Sequence, residues 1–153
     1  MVDCIRVLKP GGVLGFTTIH EYNPGFTPDL RSAFHSLGAP YPNPFPQQTH
    51  NQGRWYDLNW VRDNLLKHDL EDVRVDVSSH TSTVTDAKTF VAGFGQIVEY
   101  IRTAFWNDKI RQKFEDKEKL KDGIIKHLEE KYKGDSWELT WTMIVASGRK
   151  KAQ

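Results

Sequence analysis

The alternation of apolar and polar positions divides the first part of the chain into a helix, a turn and a strand. Residues 2–8 predict the last turns of a helix, which Pro10 and Gly11 end. The run Val13 to Thr18 is rich in β-forming residues and nearly continuous, which is typical of a strand buried on both faces. A helix, a Pro-Gly-Gly turn and a buried strand indicate the end of one αβ unit.

The next segment, residues 21–53, is predicted to be mostly loop. Six of the seven prolines fall between Pro24 and Pro46, so this stretch cannot form a central strand or a long helix. One short helix fits residues 28–37, where apolar residues recur at helical spacing. Residues 39–49 then predict a semi-extended surface loop or lid.

A second helix and strand follow this loop. Asp57 or Asn59 can cap a helix that runs to about His68. Residues 72–77 alternate as a strand, with three valines on one face.

Two longer helices and a final strand complete the pattern. Asp86 is predicted to open a helix whose apolar positions repeat at helical spacing: Phe90, Phe94, Ile97, Val98, Ile101 and Phe105. Residues 108–132 predict one further helix, with Gly123 as the point where it would divide. The last strand begins at Trp137 and ends before Gly148, and its odd-numbered apolar residues alternate with the even-numbered ones.

Composition and charge narrow the class of protein. The chain has 153 residues, of which 38% are hydrophobic and 27% charged, as in an ordinary folded domain. A net charge of +1 indicates no nucleic-acid partner. No apolar run is long enough for a membrane span and no secretory signal is seen, so a cytoplasmic protein is expected. The single cysteine, Cys4, lies in an apolar stretch that predicts a buried packing role, and the histidines show no metal-ligand spacing.

The segment Arg6 to Gly12 reads RVLKPGG and is followed by the strand VLGFTT. Pro10 ends the helix, and the two glycines permit a tight reversal before the strand. With the order of elements after it, this motif resembles the C-terminal half of class I S-adenosylmethionine-dependent methyltransferases. Within that family the chain is similar to the small-molecule enzymes of the ubiquinone-biosynthesis and trans-aconitate group.

The resemblance implies an α/β fold, the C-terminal half of a seven-stranded Rossmann-like sheet. Three strands near residues 13–18, 73–78 and 137–147 are expected, with the last between the other two and antiparallel to them. The whole chain, 1–153, would be a partial methyltransferase domain. Its parts would be the end of the sheet core and a loop (1–85), a helical cap insertion (86–132) and the final antiparallel strand (133–150).

The resemblance also implies S-adenosylmethionine as the cofactor, but its main binding elements would precede Met1. The chain has no G-x-G-x-x-G turn, since Gly93-Phe94-Gly95 lies inside a helical pattern. Cofactor-binding residues in this chain therefore stay unknown, and a fragment is expected. The free edge of the 13–18 strand predicts self-association.

Candidate site residues follow from the position of this strand. Ligands of open α/β sheets lie beyond the carboxyl ends of strands, and this strand is expected to end near Thr17 and Thr18, so His20, Glu21 and Tyr22 project toward the expected substrate side. Tyr22 and Thr18 are candidate substrate-binding residues, although Thr18 is more typical of a strand residue than of a ligand. His20 is the candidate general base, although an exposed loop histidine is the commoner interpretation. Trp55 and Tyr56 are candidate pocket walls at the end of a loop.

Phe94 is a further candidate for the pocket wall, although a core residue is the commoner interpretation of its helical spacing. No metal ligand is expected.

Two functions stay open from the sequence. The first is methyl transfer to a small-molecule acceptor, with this chain as the substrate-side half and inactive alone. The second is a non-catalytic binding or scaffolding remnant of the same fold that pairs with another chain.

Overall fold

A computed structural model describes residues 2–48, 52–68 and 70–152. The chain is a mixed α/β protein that divides into two compact units. The first unit comprises Met1–Asn23, Gln47–His80 and Trp141–Gln153, and the second comprises Pro24–Pro46 and Thr81–Thr140.

Three strands form one open antiparallel sheet in the described residues. They are β1 (Val13–Ile19), β2 (Leu70–Val84) and β3 (Trp137–Lys150), in the order β1-β3-β2. The last strand therefore lies between the other two, as predicted. In the β1–β3 register Thr18 lies opposite Ile144.

The burial of β1 differs from the expectation of a strand covered on both faces. Its residues alternate between exposed and half-buried, and the Val13 side chain is 56% exposed. The reason is its position, because β1 is an edge strand of the described sheet and β3 is its one neighbour there. A continuous apolar run at a sheet edge is not, by itself, a sign of burial.

Helix α1 (Val2–Val7) leads into the Pro-Gly-Gly turn. Gly11 has φ +76°, and a Cβ on Gly12 would lie 2.9 Å from the carbonyl oxygen of Lys9, so both glycines are required by the turn. Lys150 ties this turn to β3, because its N–H donates to Gly12 O at 2.8 Å and its Nζ donates to Leu8 O at 2.8 Å. A lysine ammonium at a helix C-terminus satisfies carbonyls that have no helical partner.

Cys4 is exposed, which corrects the prediction of a buried packing role. In α1 only Ile5 is buried, in the core of the first unit. The six-residue helix thus packs one side chain into the core. Cys4 is exposed although its neighbours in the sequence are apolar.

Helix α3 (Leu58–Leu66) supplies two further core residues of the first unit, Val61 and Leu65. The carboxylate of Asp57, not Asn59, caps it by accepting from the backbone N–H groups of Asn59 and Trp60. The core of this unit consists of residues from α1, α3 and the sheet: Ile5, Val61, Leu65, Leu70, Val75, Ile144 and Ala146.

Strands β2 and β3 are longer than predicted and pass through both units. Strand β2 continues beyond the predicted residues 72–77 to Val84, and of the three alternating valines Val75 is buried, Val73 half-buried and Val77 exposed. Strand β3 continues past Gly148 to Lys150. Its buried positions are odd-numbered at the start and even-numbered after residue 143, so the apolar Val145 is exposed.

The second unit is built on helices. They are α2 (Thr27–Ser36), α4 (Ala87–Phe105), α5 (Asp108–Lys113) and α6 (Lys117–Tyr132), and α6 packs against both α2 and α4. Residues 39–48 are a loop as predicted, whereas Thr49 lies outside the described residues.

Three features of these helices correct or confirm the predictions made from the sequence. Asp86 caps α4 as predicted, but Phe105 at its other end is 44% exposed rather than part of the buried stripe. The predicted helix over 108–132 is broken at residues 114–116, where Asp116 caps α6. Gly123 does not break the helix; a Cβ there would lie 2.8 Å from a Leu37 methyl, so the glycine lets α2 and α6 approach closely.

A buried carboxylate joins the beginning of α2 to the end of α6 and the start of β3. Asp29 accepts hydrogen bonds from Lys131 Nζ (2.7 Å), Tyr132 Oη (2.6 Å) and Trp137 Nε1 (2.9 Å). The Tyr132 and Trp137 rings stack in parallel with their centroids 4.3 Å apart. We name these residues the Asp29 cluster; three donors satisfy a charge that would otherwise be costly to bury.

Candidate functional site

A cleft of about 520 Å³ lies in the first unit at the carboxyl end of β1. The four residues Phe16–Ile19 of β1 line it, together with Met143 from the neighbouring β3. This volume lies within the range of small-molecule sites. The cleft is open, and its position agrees with the general rule that ligands of open α/β sheets lie beyond the carboxyl ends of strands.

The remaining walls of the cleft come from the loop residues Gln47 and Gln48 and from Trp55 and Tyr56. The Gln48 side chain braces this loop, because its Nε2 donates to Gly53 O at 2.7 Å and its Oε1 accepts from the Trp55 N–H at 3.3 Å. The amide group of Gln48 thus links the loop that carries Gln47 and Gln48 to the segment that carries Trp55 and Tyr56.

The indole of Trp55 is fixed from several sides. Its Nε1 donates to Gln52 O at 2.8 Å, its ring meets Phe16 edge-to-face at 5.8 Å, and Trp60 packs against it at 4.9 Å. Tyr56 is held through its backbone, since its carbonyl accepts from the Glu21 N–H at 3.0 Å. These contacts define the position of both aromatic residues in the wall.

Gly53 makes the turn before this wall possible. It has φ +79°, and a Cβ at this position would lie 2.3 Å from Cη2 of Trp60. Any side chain would both strain the backbone and displace the Trp60 ring. The sequence signal for this turn was the Gly53 that precedes the two aromatic residues.

His20 lies directly after β1 and is half-buried. The backbone N–H of His20 donates to Thr142 O, and the ring Nδ1 accepts from the backbone N–H of Tyr22 at 3.2 Å. In the neutral imidazole this hydrogen bond leaves the proton on Nε2, which is then a donor. Action as a base requires release of the bond at Nδ1, so the general-base role of His20 stays a prediction.

The structure brings together three of the five predicted substrate-binding residues. Thr18, Trp55 and Tyr56 all line the cleft. Tyr22 is 77% exposed and packs its ring against His20 at 5.4 Å, outside the lining. Phe94 belongs to the second unit, where its ring contacts Phe26 and Phe90 at 5.0 and 4.8 Å.

Sequence reasoning did not identify Phe16, Gln47 or Met143 as cleft residues. The sequence predicts Phe16 and Met143 as ordinary strand residues. Both line the cleft because β1 pairs with β3. Gln47 lies in the proline-rich loop, which gave no positional signal beyond a surface loop.

Within residues 2–48, 52–68 and 70–152, no group of three or more His, Cys, Asp or Glu side chains could hold a metal ion; His50 lies outside these ranges. Of the helices in the same described ranges, none combines the length and apolar character needed to cross a membrane.

Comparison with known protein families finds no family that matches the chain, and no curated protein matches it either.

Proposed function

We propose that this chain supplies the substrate-side half of an S-adenosylmethionine-dependent methyltransferase that acts on a small-molecule acceptor in the cytoplasm. The observation that carries the proposal is the strand order β1-β3-β2, with the last strand inserted between the two earlier ones. Strands that follow each other along a chain are usually neighbours, so this order is selective. It is the order that the resemblance to class I methyltransferases implies for their last three strands.

The turn before β1 supports the same proposal. The resemblance was based on the RVLKPGG segment, and the structure gives Gly11 and Gly12 the geometric roles expected of a tight helix-to-strand reversal. Residues 86–132 are proposed as the helical cap insertion of the family, beginning at the N-cap Asp86.

The described cleft does not fit S-adenosylmethionine. Among the described residues, none that lines the cleft carries a charge, whereas the methionine part of the cofactor carries a carboxylate and an ammonium group that need charged or convergent polar partners. The cofactor would supply the methyl group and would be bound outside this cleft. The residues of this chain would hold and orient the acceptor, with Trp55 and Phe16 at its rings.

The decisive experiment compares the natural protein, isolated from its source and defined by its intact mass, with the 153-residue chain. Both are titrated calorimetrically with S-adenosylhomocysteine and assayed for methyl transfer. We expect saturable binding by the natural protein and none by the 153-residue chain. A natural protein that carries additional sequence and still binds no S-adenosylhomocysteine would overturn the proposal.

A matched pair of variants tests the role of His20 in the same assay. His20→Asn keeps an acceptor near Nδ1 for the Tyr22 N–H and removes the titratable ring. We expect kcat to fall by roughly 10²-fold or more, with loss of its pH dependence and little change in KM. His35→Asn, at an exposed position of α2, is the control and should leave both parameters unchanged.

One observation favours the alternative function, a non-catalytic module that pairs with another chain. Strand β1 has an unpaired edge in the described sheet, which can accept a further strand. If the natural protein consists of residues 1–153 alone and binds no S-adenosylhomocysteine, this alternative gains support and the enzyme proposal fails.

A further inference from the structure

Strand β2 has an unpaired outer edge in the described part of the sheet, because β3 is its one neighbour there in the order β1-β3-β2. Residues 73–77 of this edge read VRVDV. Just before them, Asp72 departs from extended geometry with φ +52°. The apolar side chain of Val77 is 46% exposed. An edge of this kind can pair with a strand of another chain.

The backbone groups that face this edge belong to the odd-numbered residues of β2. The hydroxyls of Ser79 and Thr142 lie 3.2 Å apart, and a Cβ on Gly148 would lie 3.5 Å from a Val73 methyl. Both contacts fit one antiparallel register, with Ser79 opposite Thr142. The Thr142 carbonyl accepts from the backbone N–H of His20, so the Thr142 backbone faces β1. Opposite residues of an antiparallel pair either bond to each other or both face away, so Ser79 and the odd-numbered residues back to Val73 face the outer edge.

The carbonyl of Val75 lies at the centre of this stretch and is open to a further donor. It accepts from the Arg62 guanidinium at 3.3 Å, which agrees with its position at the outer edge. A backbone carbonyl has two lone pairs, so it can also accept from an N–H of an added strand.

The sequence of the edge is complementary to itself in the antiparallel direction. When two copies of VRVDV pair with Val75 at the centre, Arg74 of each copy lies opposite Asp76 of the other, and Val73 lies opposite Val77. Arg74 and Asp76 are both exposed, and neither forms an ion pair within the described ranges. As even-numbered residues they form the non-hydrogen-bonded pairs, where opposite side chains are closest and opposite charges stabilise the pairing.

Other registers lack this complementarity. A register centred on Arg74 or on Asp76 places two like charges directly opposite each other, which is destabilising. A register centred on Val73 would pair Arg74 with Asp72, but Asp72 has left-handed backbone geometry and its carboxylate already pairs with Arg149 at 3.4 Å. The charges of the edge therefore favour the register centred on Val75.

We infer that a second copy of this chain pairs with the outer edge of β2, antiparallel and with the two Val75 residues at the two-fold axis. The pairing joins two sheets edge to edge, forms two ion pairs between Arg74 and Asp76, and packs each exposed Val77 beside Val73 of the other copy. Residues 73–77 are not part of the cleft lining, so this inference goes beyond the proposed function and does not depend on it.

Labels on Cys4 allow the association to be measured. Cys4 is the single cysteine of the chain and is exposed, so one sample takes a fluorescent donor and another takes an acceptor. Energy transfer after mixing reports association of the copies. Any transfer through the β1 edge is the same in every mixture, so differences between variants report on β2.

An exchange of charges between the two positions tests the inference. Arg74→Asp places carboxylates opposite each other, and Asp76→Arg does the same with guanidinium groups. We expect each variant to associate with itself about tenfold or more weakly than the wild type. A mixture of donor-labelled Arg74→Asp and acceptor-labelled Asp76→Arg restores both ion pairs, as does the double variant Arg74→Asp/Asp76→Arg. Both should associate with about the affinity of the wild type.

Control variants separate this pairing from an effect of net charge. Lys109→Asp and Asp122→Arg make the same changes of charge at exposed helical positions and should leave the association unchanged. Wild-type copies that show no saturable transfer up to about 1 mM would overturn the inference and leave the edge to a different chain. It also falls if the mixture of Arg74→Asp and Asp76→Arg transfers no more energy than either variant alone, since the copies then associate through another surface.

Discussion

The indole nitrogen of Trp137 donates to the buried carboxylate of Asp29 at 2.9 Å, across 108 positions of the sequence. The carboxylate side chain is only 4% exposed and also accepts from Lys131 and Tyr132. One acidic group thus holds the first turn of α2, the last turn of α6 and the start of β3 in one place. Hydrogen bonds to a buried charge are among the stronger single contributions to stability.

Asp29→Asn keeps the shape of the side chain and removes its charge. We expect a loss of about 2 kcal/mol in the free energy of unfolding, below the range for fully buried pairs because Lys131 is partly exposed. Asp3→Asn, which removes an exposed ion pair with Arg6, is the matched control and should cost less than about 0.5 kcal/mol. Denaturant titration measures both; equal effects would contradict a structural role of the cluster.

The same cluster predicts a loss of stability at alkaline pH. Burial raises the pKa of the Tyr132 hydroxyl, and the hydrogen bond to Asp29 raises it further. Burial lowers the pKa of Lys131, but its contacts with Asp29 and Tyr132 outweigh this, so the net shift is upward. Burial also raises the pKa of Tyr41.

A pKa raised in the folded state means that the proton is held more tightly there than in the unfolded chain. The stability from these groups is therefore complete below their ordinary pKa values near 10 and is lost as the pH rises through the folded values. Thermal unfolding should show a falling Tm above about pH 10. Tyr132→Phe should make this fall shallower than in the wild type, while Tyr22→Phe, at an exposed position, serves as control. A Tm that is unchanged up to about pH 11.5 would refute the prediction.

Gly53→Ala tests the turn that carries the aromatic wall. The new methyl group would lie 2.3 Å from Cη2 of Trp60 in a left-handed backbone conformation. We expect a loss of about 1–3 kcal/mol in unfolding free energy and a changed Met143 methyl signal. Gly93→Ala in α4, where a Cβ meets nothing within 4 Å, should stabilise the protein by about 0.5–1 kcal/mol. Destabilisation by both substitutions alike would argue against this account.

The free edge of β1 predicts self-association of the isolated chain. Lys150 N–H donates to Gly12 O and His20 N–H to Thr142 O, so the even-numbered positions of β1 hydrogen-bond with β3. The N–H of Thr17 therefore points to the unpaired edge, where another strand can join. Thr17→Pro should reduce the sedimentation coefficient at high concentration toward that of the monomer.

Thr18→Pro is the control for this experiment, because it removes an N–H that faces β3 and should destabilise the fold itself. A wild-type chain that sediments as a monomer at all accessible concentrations would contradict the prediction of self-association.

Much of the secondary structure was predictable because its causes are local. Asp57 and Asp86 cap helices through their own side chains, and Pro10 with the following glycines ends α1 within a few residues. The alternation in β2 was visible for the same reason, since neighbouring side chains of a strand point to opposite faces. Local signals also misled where they were ambiguous, as at Gly123, whose role is the close approach of Leu37 rather than a helix end.

The sequence by itself thus determined the order and type of the elements, apart from the division of residues 108–132 into α5 and α6, and through the LKPGG segment it led to the predicted strand order. Only the tertiary structure decided which side chains are buried, because burial depends on partners far away in the sequence. Cys4 and Val13 lie in apolar stretches of the sequence but are exposed. Asp29 is charged but buried, and its hydrogen-bond donors lie more than 100 residues further along the sequence. The cleft has the same origin: Phe16 and Met143 line it together because β3 pairs with β1, and no local pattern in either strand specifies that arrangement.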